Sequence, residues 1–80
     1  MPQRSQATVA FGRELRVERR RAGLSQERLA LEAGINRNTI GKIERGAMTP
    51  TLDLILRIAE QLEVDAAELV ARAAAERPEG

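Results

Sequence analysis

The chain has 80 residues, room for one small domain. Thirteen basic residues nearly balance twelve acidic ones, and histidine, cysteine, tryptophan and tyrosine are missing. That excludes a disulfide framework, the usual zinc ligands, the usual near-neutral acid–base group and an aromatic platform for stacking single-stranded bases.

The net charge of +1 hides a polarity. Residues 1–46 hold ten cationic side chains (nine Arg and Lys42) against five glutamates; residues 47–80 hold three against seven carboxylates. Such asymmetry is a prior for an anionic partner at one end. No apolar run approaches the roughly 18–20 residues of a membrane span. Met1 to Gln6 lacks a signal peptide's apolar stretch, which reads as a cytoplasmic chain.

In chain order, residues 1–6 are polar and read as a loose arm, 7–75 as a single helical domain and 76–80 as a frayed tail. β-Branched residues never alternate with period two, so the fold class is all-α. A first helix is expected from about Thr8 to Ala22, with Phe11, Leu15, Arg19 and Ala22 on one face and Gly23 as breaker. Ser25 caps a second helix with Leu29, Ala30 and Ala33 inward, ending at Gly34. After Ile35, Asn36 caps a third, which turns Ile40 and Ile43 inward and stops at Gly46. Beyond Pro50, Thr51 caps a fourth over about 52–62, with the apolar set Leu52, Ile55, Ile58, Ala59 and Leu62. Asp65, with Glu68 three positions on, forms a capping box for a fifth over about 66–75, with Leu69 inward.

The short link at Gly34–Asn36 forces helices two and three to cross steeply, the geometry of a helix-turn-helix. Many helical proteins contain similar corners, so the turn alone decides little. The surrounding residues say more. Gly-Leu-Ser-Gln-Glu at 23–27, Leu-Ala at 29–30, Ala-Gly-Ile at 33–35, Ile-Glu-Arg-Gly at 43–46, Pro-Thr-Leu at 50–52 and Ile-Ala-Glu-Gln-Leu at 58–62 follow in order. Over roughly 11–70 the chain resembles the phage repressor/Cro-type helix-turn-helix family, also called XRE. The resemblance implies a compact five-helix, lambda-repressor-like domain that binds double-stranded DNA, usually as a homodimer on a two-fold-symmetric operator.

Carried over by position, the resemblance makes Gln26, Asn36, Thr39 and Arg45 contacts to the DNA backbone, and Arg37, Asn38 and Lys42 readers of base edges. It also pairs Arg19 with Glu44, an ion pair expected to link helix one to the end of the recognition helix and to turn Arg19 towards the DNA backbone. The chemistry agrees independently: Arg pairs bidentately with guanine O6 and N7, Asn with adenine N6 and N7, and Lys donates to guanine. The bland alternatives are a solvated helix face for 37, 38 and 42, and an ordinary helix start for Gln26. Of Arg13, Arg16, Arg20 and Arg21, Arg16 is the one expected to reach phosphate; the others read equally well as solubilising charge. Glu14 and Glu18 superficially resemble a metal pair, but flanking arginines make them salt-bridged surface groups.

Two positions depart from the family pattern. Gly41 lies mid-helix in the reading element, where it either permits closer approach to DNA or removes one base contact. Glu63 stands where glycine is common, with strain expected if φ is positive. Leu54 and Leu56 widen the apolar stripe of helix four, and Leu56 with Val70 is expected at a dimer contact. The expectation is a transcriptional regulator without a cofactor or metal; the alternative is an antitoxin or restriction–modification controller-type protein with autoregulatory DNA binding, an antitoxin having a toxin as partner. An enzyme is disfavoured, since no nucleophile–base pair, phosphate-binding Gly loop or metal cluster is present.

Overall fold

The computed structural model describes residues 5–76, which form five helices: α1 Gln6–Arg21, α2 Gln26–Ala33, α3 Arg37–Glu44, α4 Leu52–Leu62 and α5 Ala66–Ala75. The first begins two residues before the expected Thr8, because Ser5 caps it: the Ser5 Oγ accepts the Thr8 N–H at 3.1 Å. Ser5 and Gln6, read as arm, thus belong to the helix start, and Glu76, read as tail, closes α5 and pairs with Arg13. The remainder of the expected arm and tail, 1–4 and 77–80, lies outside the described residues.

The other four starts follow from the caps read in the sequence. Ser25, Asn36, Thr51 and Asp65 each place a side-chain oxygen on an N–H of the first turn. The capping box at α5 forms only in half: Asp65 accepts from Ala67, whereas the Glu68 carboxylate is engaged by Arg72. Glu63 closes α4 in the left-handed region, at φ 57°, so the strain expected of a non-glycine residue is present there.

The core joins all five helices: Ala10, Phe11 and Leu15, then Leu29 and Ala30, Ile40 and Ile43, Ile58 and Leu62, and Leu69 and Ala73. Leu24, Met48 and Val64, from the connections, seal its edges. Two expected inward positions point out: Ala22 ends α1 exposed, and Leu52 is 70% exposed at the first turn of α4. The inward face of α1 continues instead through Glu18 and Arg19.

α1 is the hub, packed on α3 along one side and on α5 along another. Gly12 permits the first contact: a Cβ there would come within 2.2 Å of the Ile43 carbonyl oxygen, so α3 seats directly on the α1 backbone. On the α5 side Arg72 binds Glu18 at 2.9 Å and lies 4.0 Å from Glu14. Both carboxylates are thus ion-paired, but the flanking arginines expected to pair them account for only part of it: Glu14 meets Arg72 of α5, and Glu18 is buried and binds Arg72 as well as the neighbouring Arg21.

Candidate nucleic-acid interface

The link between α2 and α3 turns on Gly34, which takes φ 70° and ψ 37°. There the Gly34 N–H returns to the Leu31 carbonyl at 3.3 Å and the Ile35 N–H to that of Ala30 at 2.8 Å, closing α2. Two residues later Asn36 opens α3, its Oδ1 accepting the Asn38 N–H at 2.7 Å. A side chain at 34 would make the left-handed conformation costly, so this glycine fixes the steep crossing.

α3 is divided cleanly by its own periodicity. Ile40 and Ile43 are fully buried, and Arg37, Asn38, Lys42 and Arg45 are exposed on the other side. With Gln26 and Gly41 those four line a polar recess of about 260 Å³. The structure thus brings the expected base-reading residues 37, 38 and 42 together on one open face. Arg37 also approaches Glu27 of α2 at 3.7 Å, an exposed pair that costs little to release.

Beneath this face lies Glu44, whose side chain is wholly buried. Its Oε2 accepts from Arg19 Nε at 2.6 Å; its Oε1 accepts from Arg19 Nη2 at 3.0 Å, from Gln26 Nε2 at 3.0 Å and from Arg16 Nε at 3.4 Å. Burial pushes the Glu44 carboxyl up, but the hydrogen bonds from Arg19, Gln26 and Arg16 outweigh it and hold the group below its ordinary range. The same bond to Glu44 raises Arg19, against the opposing effect of burial. Arg19 also donates to the Leu24 carbonyl at 2.7 Å, so it is turned into the protein and not toward an external backbone.

Sequence reasoning found the Arg19–Glu44 pair but not its extension to Gln26 and Arg16. Gln26 sits half-buried at the start of α2, spending one amide hydrogen on Glu44 and retaining the second. Arg16 stays 42% exposed at its side chain while bound to Glu44, so part of its guanidinium faces outward. Asn36 uses its oxygen for capping and keeps its amide hydrogens; Thr39 is half-buried one turn along. Gly12 was also missed, although a glycine at an inward register of an amphipathic helix is a readable sign of close backbone approach.

The Helix-turn-helix family model matches residues 15–69. Among relatives, the chain is 39% identical over 60 residues to the HTH-type transcriptional regulator SlrR of Bacillus subtilis (strain 168), covering 74% of this chain and 40% of SlrR. It is 36% identical over 63 residues to the control protein C.BamHI of Bacillus amyloliquefaciens, covering 78% of each. Among solved structures, the restriction-modification controller protein C.AhdI from Aeromonas hydrophila superposes with a TM-score of 0.75 at 42% identity, over 78% of this chain and 94% of that one. The chain belongs to the helix-turn-helix family, of the phage repressor/Cro (XRE) type. The matched segment is a DNA-binding domain of the kind that transcriptional regulators carry.

Proposed function

We propose that the chain is a sequence-specific regulator of transcription that binds a palindromic operator as a homodimer. The observation that carries this reading is the split of α3 into a buried apolar side and an open face bearing Arg37, Asn38 and Lys42. A helix so presented enters the major groove, where those residue types discriminate base pairs by roughly 1–3 kcal/mol for each good bidentate contact. Gln26, Asn36, Thr39 and Arg16 hold the phosphates that flank it, helped by the partial positive charge of the α2 N-terminus. These contacts set register and salt-sensitive affinity, and the base-edge contacts set sequence choice.

The dimer face lies on α4 and α5. Leu52 and Leu56, four residues apart, are 70% and 51% exposed, and Val70 is 42% exposed on the neighbouring helix. An apolar hollow of about 270 Å³ between α1, α4 and α5, lined in part by Phe11, Ile55 and Val70, adjoins them. Two copies joined there would place their third helices in successive grooves about 34 Å apart. The protein acts by binding and not as an enzyme. A cytoplasmic site of action is consistent with the absence, among the described residues, of a helix long and apolar enough to cross a membrane.

The likeness to C.AhdI and C.BamHI favours a controller-type role, in which the protein regulates transcription that includes its own. Selection from random duplex DNA tests the whole reading. Two half-sites of fixed spacing are expected, and Arg37→Ala should erase the preference at one position of each. An unchanged preferred site in that variant would remove Arg37 from base reading. Gln26→Ala should weaken every sequence alike; a loss confined to one operator would argue against its phosphate role. A co-purifying toxin would move the assignment to the antitoxin reading.

A further inference from the structure

Gly41 and Arg45 are one device. Side chains on a helix lean toward its N-terminus, so a long residue covers the turn before its own Cα. Arg45 at the end of α3 therefore lies back over residue 41, and its Nη1 stands 3.0 Å from where a Cβ at 41 would be. The same Cβ position is 3.6 Å from Gln26 Oε1. The mid-helix glycine thus leaves a slot that the Arg45 guanidinium occupies, beside Gln26 and within the recess shared with Arg37, Asn38 and Lys42. Arg45 is exposed, and no carboxylate pairs with it among the described residues.

We infer that Arg45 is a specificity-determining residue, reading a base edge through the space left at Gly41. This rests on the major-groove reading above and departs from the backbone role that the family pattern assigns to this position. Residues 38, 42 and 45 follow one helical stripe, so a guanidinium drawn back along it lies in line with the other base readers. An arginine there carries the fork that matches guanine O6 and N7. The glycine therefore transfers a base contact from position 41 to position 45 and does not simply delete one.

Selection from random duplex DNA with the full chain, Arg45→Ala, Gly41→Gln and the double variant tests this. Arg45→Ala should lower discrimination at one base position by about tenfold, the scale of a single bidentate contact, and at a position other than the one lost in Arg37→Ala. Gly41→Gln fills the slot and should change preference at that same position, and in the double variant Arg45→Ala should add nothing further there. Gly41→Gln also replaces glycine with a better helix former, so its melting temperature should not fall, which separates displacement of Arg45 from unfolding. An Arg45→Ala variant that keeps the parent site and weakens all sequences alike would make Arg45 a phosphate contact and overturn the inference, as would effects of the two substitutions at different positions. If the parent chain enriches no sequence, the DNA-binding reading itself fails, a result distinct from either.

Discussion

Glu44 carries the highest stakes of any single side chain. It is the buried acceptor on which Arg16, Arg19 and Gln26 converge, and all three approach from other helices or their edges. Removing one member of a buried ion pair strands the other, at a cost of about 3–5 kcal/mol. Glu44→Ala should therefore lose most of a small domain's stability, read from its urea midpoint. The titration has a definite sign. The folded carboxyl ionises below its ordinary value, so its contribution is complete above the unfolded pKa of about 4.3 and fades as pH falls through the folded value. Urea midpoints between neutral pH and pH 3 should fall for the parent chain and change less for Glu44→Gln; equal slopes would remove Glu44 as the source. Glu63 offers the opposite outcome. Glycine relieves a left-handed φ, so Glu63→Gly should raise stability by about 1 kcal/mol, visible as a higher melting temperature. The Arg19–Glu44 pair and the Glu63 strain were legible because both positions match or break a family pattern at a known register. The bond from Gln26 to Glu44 was not, since the turn at Gly34 sets how α2 and α3 cross but not which side-chain rotamers meet between the start of one and the end of the other.

At the scale of helices, the caps explain why the boundaries were readable. Ser25, Asn36, Thr51 and Asp65 announce their helices through one local hydrogen bond each, which sequence chemistry can foresee. Ser5 does the same for α1 and was passed over because the polar residues around it resemble an arm. Leu52 was misplaced because an apolar residue in the first turn fits an inward stripe equally well until the neighbouring helices are in place. The α1–α3 contact shows how one missing atom group sets an orientation. Gly12→Ala would place a methyl against the Ile43 carbonyl, which is backbone and cannot rotate away. That overpacking should cost about 1–3 kcal/mol in thermal unfolding and tilt α3, so DNA affinity should fall even at temperatures where the variant is folded. A variant with parent stability and affinity would show that the two helices slide freely.

For the whole molecule, the charge polarity of the sequence has a spatial counterpart. The cationic first half builds α1 to α3, including the open face of α3, while the acidic second half builds α4 and α5, which pack on α2 and α1. This arrangement gives the proposed affinity an electrostatic origin, so log K should fall linearly with log salt, and Arg16→Ala should reduce the slope by about 1. The proposed dimer is tested independently by Leu56→Asp. Leu56 is exposed within one chain, so the variant should remain folded, yet sediment as a monomer at concentrations where the parent is a dimer. A parent chain that is monomeric with and without DNA at micromolar concentration would dismiss the dimer.

The union of α1 with α5 bears on how the chain reaches this structure. Arg72 meets Glu18 across 54 positions and Arg13 meets Glu76 across 63, whereas the turn joining α2 and α3 closes within a few residues. Loop-closure entropy rises with the span that must be joined, so the corner between α2 and α3 is entropically cheap to assemble and the docking of α5 is the expensive step. Until that docking occurs, Ala10, Phe11 and Leu15 lack part of their cover, and the nascent chain presents the apolar face of α1 to its surroundings.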